Sequence, residues 1–134
     1  MNLKIILAPL LLSSMMDYTT TSAAPLRKDI PFVPRQCEFA RNVSRLIHFI
    51  NVAGYEVTLG ETIRSKEEAE ANYKKGIGIR DSNHLYRLAI DLNLFKDGKY
   101  LTKEKYYAFA GAYWKTLNKN NDWFSSDSGH FEAD

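Results

Sequence analysis

A chain of 134 residues, 45% hydrophobic and 25% charged, has material for one globular domain around one core and not for two. A formal net charge of +2, carried by dispersed lysines and arginines, argues against a nucleic-acid partner and leaves only a weak pull toward anionic polymers. The one cysteine, Cys37, excludes an internal disulfide and a thiolate zinc knuckle, and is expected to be a packed helix residue rather than a nucleophile.

Residues 1–24 have a short positive start at Lys4, run through the short apolar stretch 5–12 and close on Ser22, Ala23 and Ala24. That is the pattern of a secretory signal peptide, and the apolar stretch is too short for a stable membrane span, which needs about 20 residues. A leader without that role, or a start placed too far upstream, is the other reading. Residues 25–34 hold three prolines and read as an extended linker, so the folded domain is expected over 35–134.

A helix is predicted over 35–53, with Phe39, Val43, Leu46, Ile47 and Ile50 as its apolar stripe and Gly54 as its cap. His48, beside that stripe, reads as a surface residue. Alternation predicts a short strand over 55–60. Ser65, with Glu68 three residues on, caps a second and mostly polar helix that Gly76 stops. Gly76, Ile77 and Gly78 lack the spacing and setting of a phosphate loop.

The stretch 82–95 organises the chain. Leu88, Ile90, Leu92 and Leu94 alternate with Ala89, Asp91, Asn93 and Phe95, which predicts a strand with Asp91 on the face opposite the leucines. A carboxylate in mid-strand costs free energy unless something pairs with it. A metal ion would do so. His84, seven residues upstream, can reach the same ion, and His130 in the closing DSGHFE supplies a third ligand. Two histidines and one carboxylate leave the fourth position of a zinc ion to water, the arrangement of a catalytic site. Asp127, three residues before His130, would lie beside that water. Without His130 and Asp127, the pair His84 and Asp91 reads equally well as a hydrogen-bonded structural contact.

Asp97-Gly98 marks a hairpin turn, and Tyr100 and Leu101 begin the return strand. Thr102 is expected to cap a last helix reaching Leu117, with Tyr106, Ala110, Tyr113, Trp114 and Leu117 as its apolar face. Residues 118–122 read as a polar loop, after which Trp123 and Phe124 re-enter the core. The sum is an α+β domain: a small, mainly antiparallel sheet flanked by helices.

The run Ser82-Asn83-His84-Leu85-Tyr86-Arg87-Leu88-Ala89-Ile90-Asp91 resembles the SxHxxGxAxD signature of the zinc D-Ala-D-Ala carboxypeptidases. Asp127-Ser128-Gly129-His130 resembles their second signature, an acidic residue three before the last zinc histidine. The same superfamily holds phage endolysins that cut between L-Ala and D-Glu of peptidoglycan. They carry Asp at that acidic position, as this chain does, and RLAIDLNLF, DGKYLT and HFE also resemble them. The resemblance spans about 31–132. One departure is plain: Arg87 stands where the signature has glycine.

The resemblance implies a hedgehog/DD-peptidase-like fold and a monomer acting on bacterial peptidoglycan, most simply at the L-alanyl-D-glutamate bond. The protein would be secreted or periplasmic, or otherwise cytoplasmic until lysis. It implies zinc on His84, Asp91 and His130, Asp127 as general base and then acid, and Arg64 steadying the scissile carbonyl. Ser82 would support the first ligand loop or the substrate. The alternatives are a D-Ala-D-Ala carboxypeptidase and a non-catalytic, zinc-stabilised binding module. Asp127 speaks against the module, since a structural site needs no spare carboxylate.

Overall fold

A computed structural model describes residues 33–79 and 81–133. The signal-peptide reading of 1–24 and most of the linker 25–34 lie outside them. Helix α1, Val33–Val52, begins two residues before its expected start. Pro34 is tolerated there because the first helical turn leaves its N–H groups without helical acceptors. The helix ends in a Schellman motif: Gly54, at φ +96, donates to the Asn51 carbonyl at 3.0 Å, and Tyr55 donates to that of Ile50 at 3.2 Å. Cys37 lies on α1 but is exposed rather than packed, because it falls off the Phe39–Leu46–Ile50 stripe.

Strand β1, Glu56–Leu59, leads through the loop 60–65 to α2, Lys66–Lys74, where Ser65 Oγ accepts from the Glu68 N–H at 3.0 Å. A single 3₁₀ turn, Asn83–Tyr86, precedes β2, Ala89–Lys96. Asp97 and Gly98 both take positive φ, 51 and 74, as a type I′ hairpin requires, and pass the chain to β3, Lys99–Leu101. Thr102 does not cap the last helix. A 3₁₀ turn, Glu104–Tyr106, intervenes, and α3 runs Ala108–Leu117 with no side-chain cap at its start. The expected loop 118–122 instead enters a strand, β4, Asn121–Trp123; after a 3₁₀ turn, Ser125–Asp127, the chain closes on β5, His130–Ala133.

The fold is α+β: among the described residues, three helices accompany one antiparallel sheet of order β1-β2-β5-β4, with β3 on the far half of β2. Strand β2 is its centre. Leu59 pairs with Leu92 on one side, and Asp91 pairs with His130 on the other. Leu88, Ile90, Leu92 and Leu94 are buried with Leu46 and Ile50 of α1, Trp114 of α3 and Phe131 of β5. Phe39 and Trp114 meet edge to face at 5.5 Å. Phe131 is fully buried between His130 and Glu132, so the period of two turns both of those residues to the opposite face of the sheet. The Trp114 indole donates to the Glu132 carbonyl at 2.9 Å, pinning α3 to β5. Among the described residues no helix is long and apolar enough to cross a membrane.

Gly111 links this core to the chain's last turn. A Cβ there would overlap the Trp123 ring, whose Nε1 donates to the Ser128 carbonyl at 2.8 Å. Gly111→Ala is expected to destabilise the domain by about 1–3 kcal/mol, as overpacking does, and to disturb the segment carrying Asp127 and His130. Thermal denaturation followed by circular dichroism reads the first effect and metal affinity the second.

Candidate metal centre

His84 is held by its own turn. Ser82 Oγ caps the turn, accepting from the His84 N–H at 3.3 Å. His84 is 2% exposed, and its Nε2 lies 3.5 Å from Asp91 Oδ1. His130 Nδ1 lies 3.0 Å from the same oxygen, because Asp91 and His130 are cross-strand partners. The two imidazoles meet edge on with centroids 5.0 Å apart. One donor atom from each of His84, Asp91 and His130 falls within 4.8 Å of the others.

Two observations bear on whether these residues suit an ion. The donors are two neutral-capable imidazole nitrogens and a carboxylate oxygen, the set zinc favours. His130 Nε2 lies 2.8 Å from Glu132 Oε2; with a hydrogen on Nε2 donated to Glu132, the Nδ1 lone pair is free to face Asp91 and His84, as metal-bound histidines are commonly fixed. Glu132 thus orients a donor.

The electrostatics agree. Burial pulls the His130 imidazolium down, but Asp91 and Glu132, one at each ring nitrogen, outweigh it and lift its pKa to about 9. Burial pushes Asp91 up, but His130 and His84 outweigh it and hold the carboxyl well below the usual carboxylate range. In the polypeptide alone, a proton at neutral pH sits where a cation would. Metal binding must displace it, and protonated His130 cannot ligate, so affinity falls as pH falls. Zinc affinity is expected to rise about tenfold per pH unit between pH 6 and 8, measured by competition with a chromophoric chelator.

The other residues singled out in the sequence line one cavity of about 410 Å³ with the three donors. Asp127 ends the 3₁₀ turn before β5 and is exposed on that wall. Ser82 is 4% exposed beneath His84. Arg64 reaches the cavity already engaged: its Nε and Nη2 donate to the two carboxylate oxygens of Glu61, at 2.5 and 2.8 Å. Phe124, expected in the core, is 52% exposed and forms part of the rim with Ile77 and Ile79. Glu61 was not legible as part of the site, although opposite charges three apart are a signal. Glu132 was not read as a partner of His130, because the strand that puts both on one face was not legible.

Arg87 explains its own departure from the signature. It ends the His84 turn in the left-handed region, φ 56 and ψ 37, which glycine takes freely and other residues at a cost of about 1 kcal/mol. The side chain is exposed and the three donors converge without the glycine.

Fold and site together define a class: a small α+β domain in which a 3₁₀ turn, the central strand and the last strand each give one residue of a His-Asp-His group able to hold a metal ion. Comparison of the sequence with protein-family models and with curated proteins gives no match. Among solved structures, the crystal structure of Serratia marcescens L-Ala D-Glu endopeptidase ChiX is similar, with a TM-score of 0.57 at 20% identity over 78% of this chain and 90% of that one. At that identity the likeness is one of fold.

Proposed function

We propose that this protein is a zinc-dependent peptidase that hydrolyses the stem peptide of bacterial peptidoglycan at the L-alanyl-D-glutamate bond. The observation that carries the reading is the convergence of His84, Asp91 and His130 on one cavity with a second, exposed aspartate, Asp127, on its wall. The similarity of fold to an L-Ala D-Glu endopeptidase supports the choice of bond.

An amide resists water because its carbonyl is weakly electrophilic and its nitrogen leaves poorly. Zinc held by His84, Asp91 and His130 would polarise the carbonyl and lower the pKa of a bound water from ~15.7 toward ~7. Asp127 takes the proton from the attacking water as its oxygen adds to the carbonyl carbon. It then gives that proton to the nitrogen as the C–N bond breaks, a contribution of roughly 10²–10⁴-fold. Arg64 faces the negative charge that develops on the carbonyl oxygen. Ser82 holds the turn that presents His84, and no serine or cysteine nucleophile is required.

A D-Ala-D-Ala carboxypeptidase is the second reading, favoured by the 82–91 motif alone. A non-catalytic module is disfavoured by Asp127, which lines the cavity without belonging to the three-donor group.

The test is release of new amino groups from purified peptidoglycan by the full chain. Zinc-loaded protein should release them, a chelator should stop it and added zinc restore it; release that ignores the chelator would contradict the proposal. Residues 1–24 fit an exported precursor, for which the mature protein begins near Ala24 or Pro25. N-terminal sequencing of protein from the producing cell reads this, and intact Met1 on soluble cytoplasmic protein would sink export.

A further inference from the structure

The Glu61–Arg64 fork lies beside the metal ligands without joining them. Arg64 lines the cavity, whereas Glu61 is neither on its wall nor in the three-donor group. Both Glu61 carboxylate oxygens are taken up by Arg64, in the two-pronged geometry that fixes a guanidinium plane. A free arginine side chain samples many rotamers and loses that entropy when it is fixed. The fork removes most of that freedom before substrate arrives, and leaves the Nη1 edge for another acceptor.

The main chain carrying the fork is tied to two of the metal ligands. The Gly60 N–H donates to the Asp91 carbonyl at 2.7 Å, and the Asp91 N–H donates to the Glu61 carbonyl at 2.9 Å. The Arg64 N–H donates to the His84 carbonyl at 3.2 Å. Gly60 permits this approach: a Cβ there would stand 3.0 Å from Asp91 Cβ. The backbone thus sets where the Arg64 side chain starts, and Glu61 sets where it ends.

We infer that Glu61 is a positioning residue that holds the Arg64 guanidinium in register with the His84–Asp91–His130 group, ready for an oxyanion or carboxylate of the bound substrate. The inference rests on the proposed peptidase reading. Misplacing such a group by about 1 Å can cost as much as a hundredfold in rate. Glu61 lies outside the donor set, so the effect should fall on turnover and not on metal.

The experiment compares wild type, Glu61→Ala, Glu61→Gln, Arg64→Ala and the double variant as full-length, zinc-loaded chains. Zinc affinity is read by calorimetry, kcat and KM by amine release from peptidoglycan peptides, and the Arg64 Nε–H resonance by NMR. Glu61→Ala should keep wild-type zinc affinity, lower kcat at least tenfold and lose the slowly exchanging Nε–H resonance. Glu61→Gln, which keeps one acceptor, should recover part of the rate. In the Arg64→Ala background, Glu61→Ala should change kcat less than twofold, since the two residues act as one unit. An active wild type with unchanged kcat in Glu61→Ala overturns the inference alone. So does an equal further loss in the Arg64→Ala background, or loss of zinc in Glu61→Ala. A zinc-loaded wild type that cuts nothing overturns the peptidase reading, and with it the inference.

Discussion

His84→Ala is expected to lose both the metal and all hydrolysis above background. His84 is 2% exposed, and its ring nitrogen Nε2 stands 3.5 Å from Asp91 Oδ1. Removing it leaves one imidazole and one carboxylate, a set too small to hold zinc against water and chelating buffers. Zinc content by elemental analysis should drop from about one per chain to none. The backbone partners of the turn do not pass through the imidazole. Ser82 Oγ still accepts from the residue 84 N–H, and the Arg64 N–H still donates to its carbonyl, so far-ultraviolet circular dichroism should stay native. The fully buried site leaves a cavity, with a stability loss of up to a few kcal/mol. His130→Ala should also lose metal and activity. Folded His84→Ala with full zinc and full activity would place the metal elsewhere.

Asp127→Ala is expected to separate chemistry from metal binding. A zinc ion on three protein donors would keep a position for water, and a fourth protein ligand would close the site. Asp127 lines the cavity from the turn before β5 and is outside the donor group. The variant should keep zinc and fold while peptidoglycan cleavage falls by at least about a hundredfold. If turnover stays near wild type with zinc bound, another carboxylate is the base. Glu132 is then the candidate to test, although its Oε2 lies 2.8 Å from His130 Nε2. If Asp127→Ala loses zinc as well, Asp127 is a ligand and the site is closer to a closed structural one.

Features set by short-range chemistry were legible in the sequence. The alternation of Leu88, Ile90, Leu92 and Leu94 marks β2, Asp97-Gly98 its hairpin, and Ser65 and Gly54 their caps, because each follows from the residue and its immediate neighbours. Strands β4 and β5 were not legible: β1, equally short, showed through the alternation of Tyr55, Val57 and Leu59, whereas β4 and β5, of three and four residues, offer one large apolar residue each. Asn121 and Asp122 carry no apolar signal, and only pairing with β5 makes them a strand. The Thr102 cap failed because an intervening 3₁₀ turn delays α3 to Ala108. Phe124 was misread because a large aromatic implies a core, whereas here it rims a cavity.

The site divides the same way. His84, Asp91 and His130 stand out by residue type and spacing, and their meeting depends on a cross-strand register, Asp91 opposite His130, that no local pattern encodes. Glu61 engages Arg64 in an irregular loop, where sequence spacing does not fix which side chains face each other.

The most direct test of the account is the identity of the ends made when the zinc-loaded full chain digests purified peptidoglycan, with a chelated sample beside it. New amino-terminal D-glutamate, appearing only with zinc, is the predicted result. Free D-alanine would move the cut to the end of the stem peptide. No new end of either kind from protein carrying one zinc per chain would contradict the account.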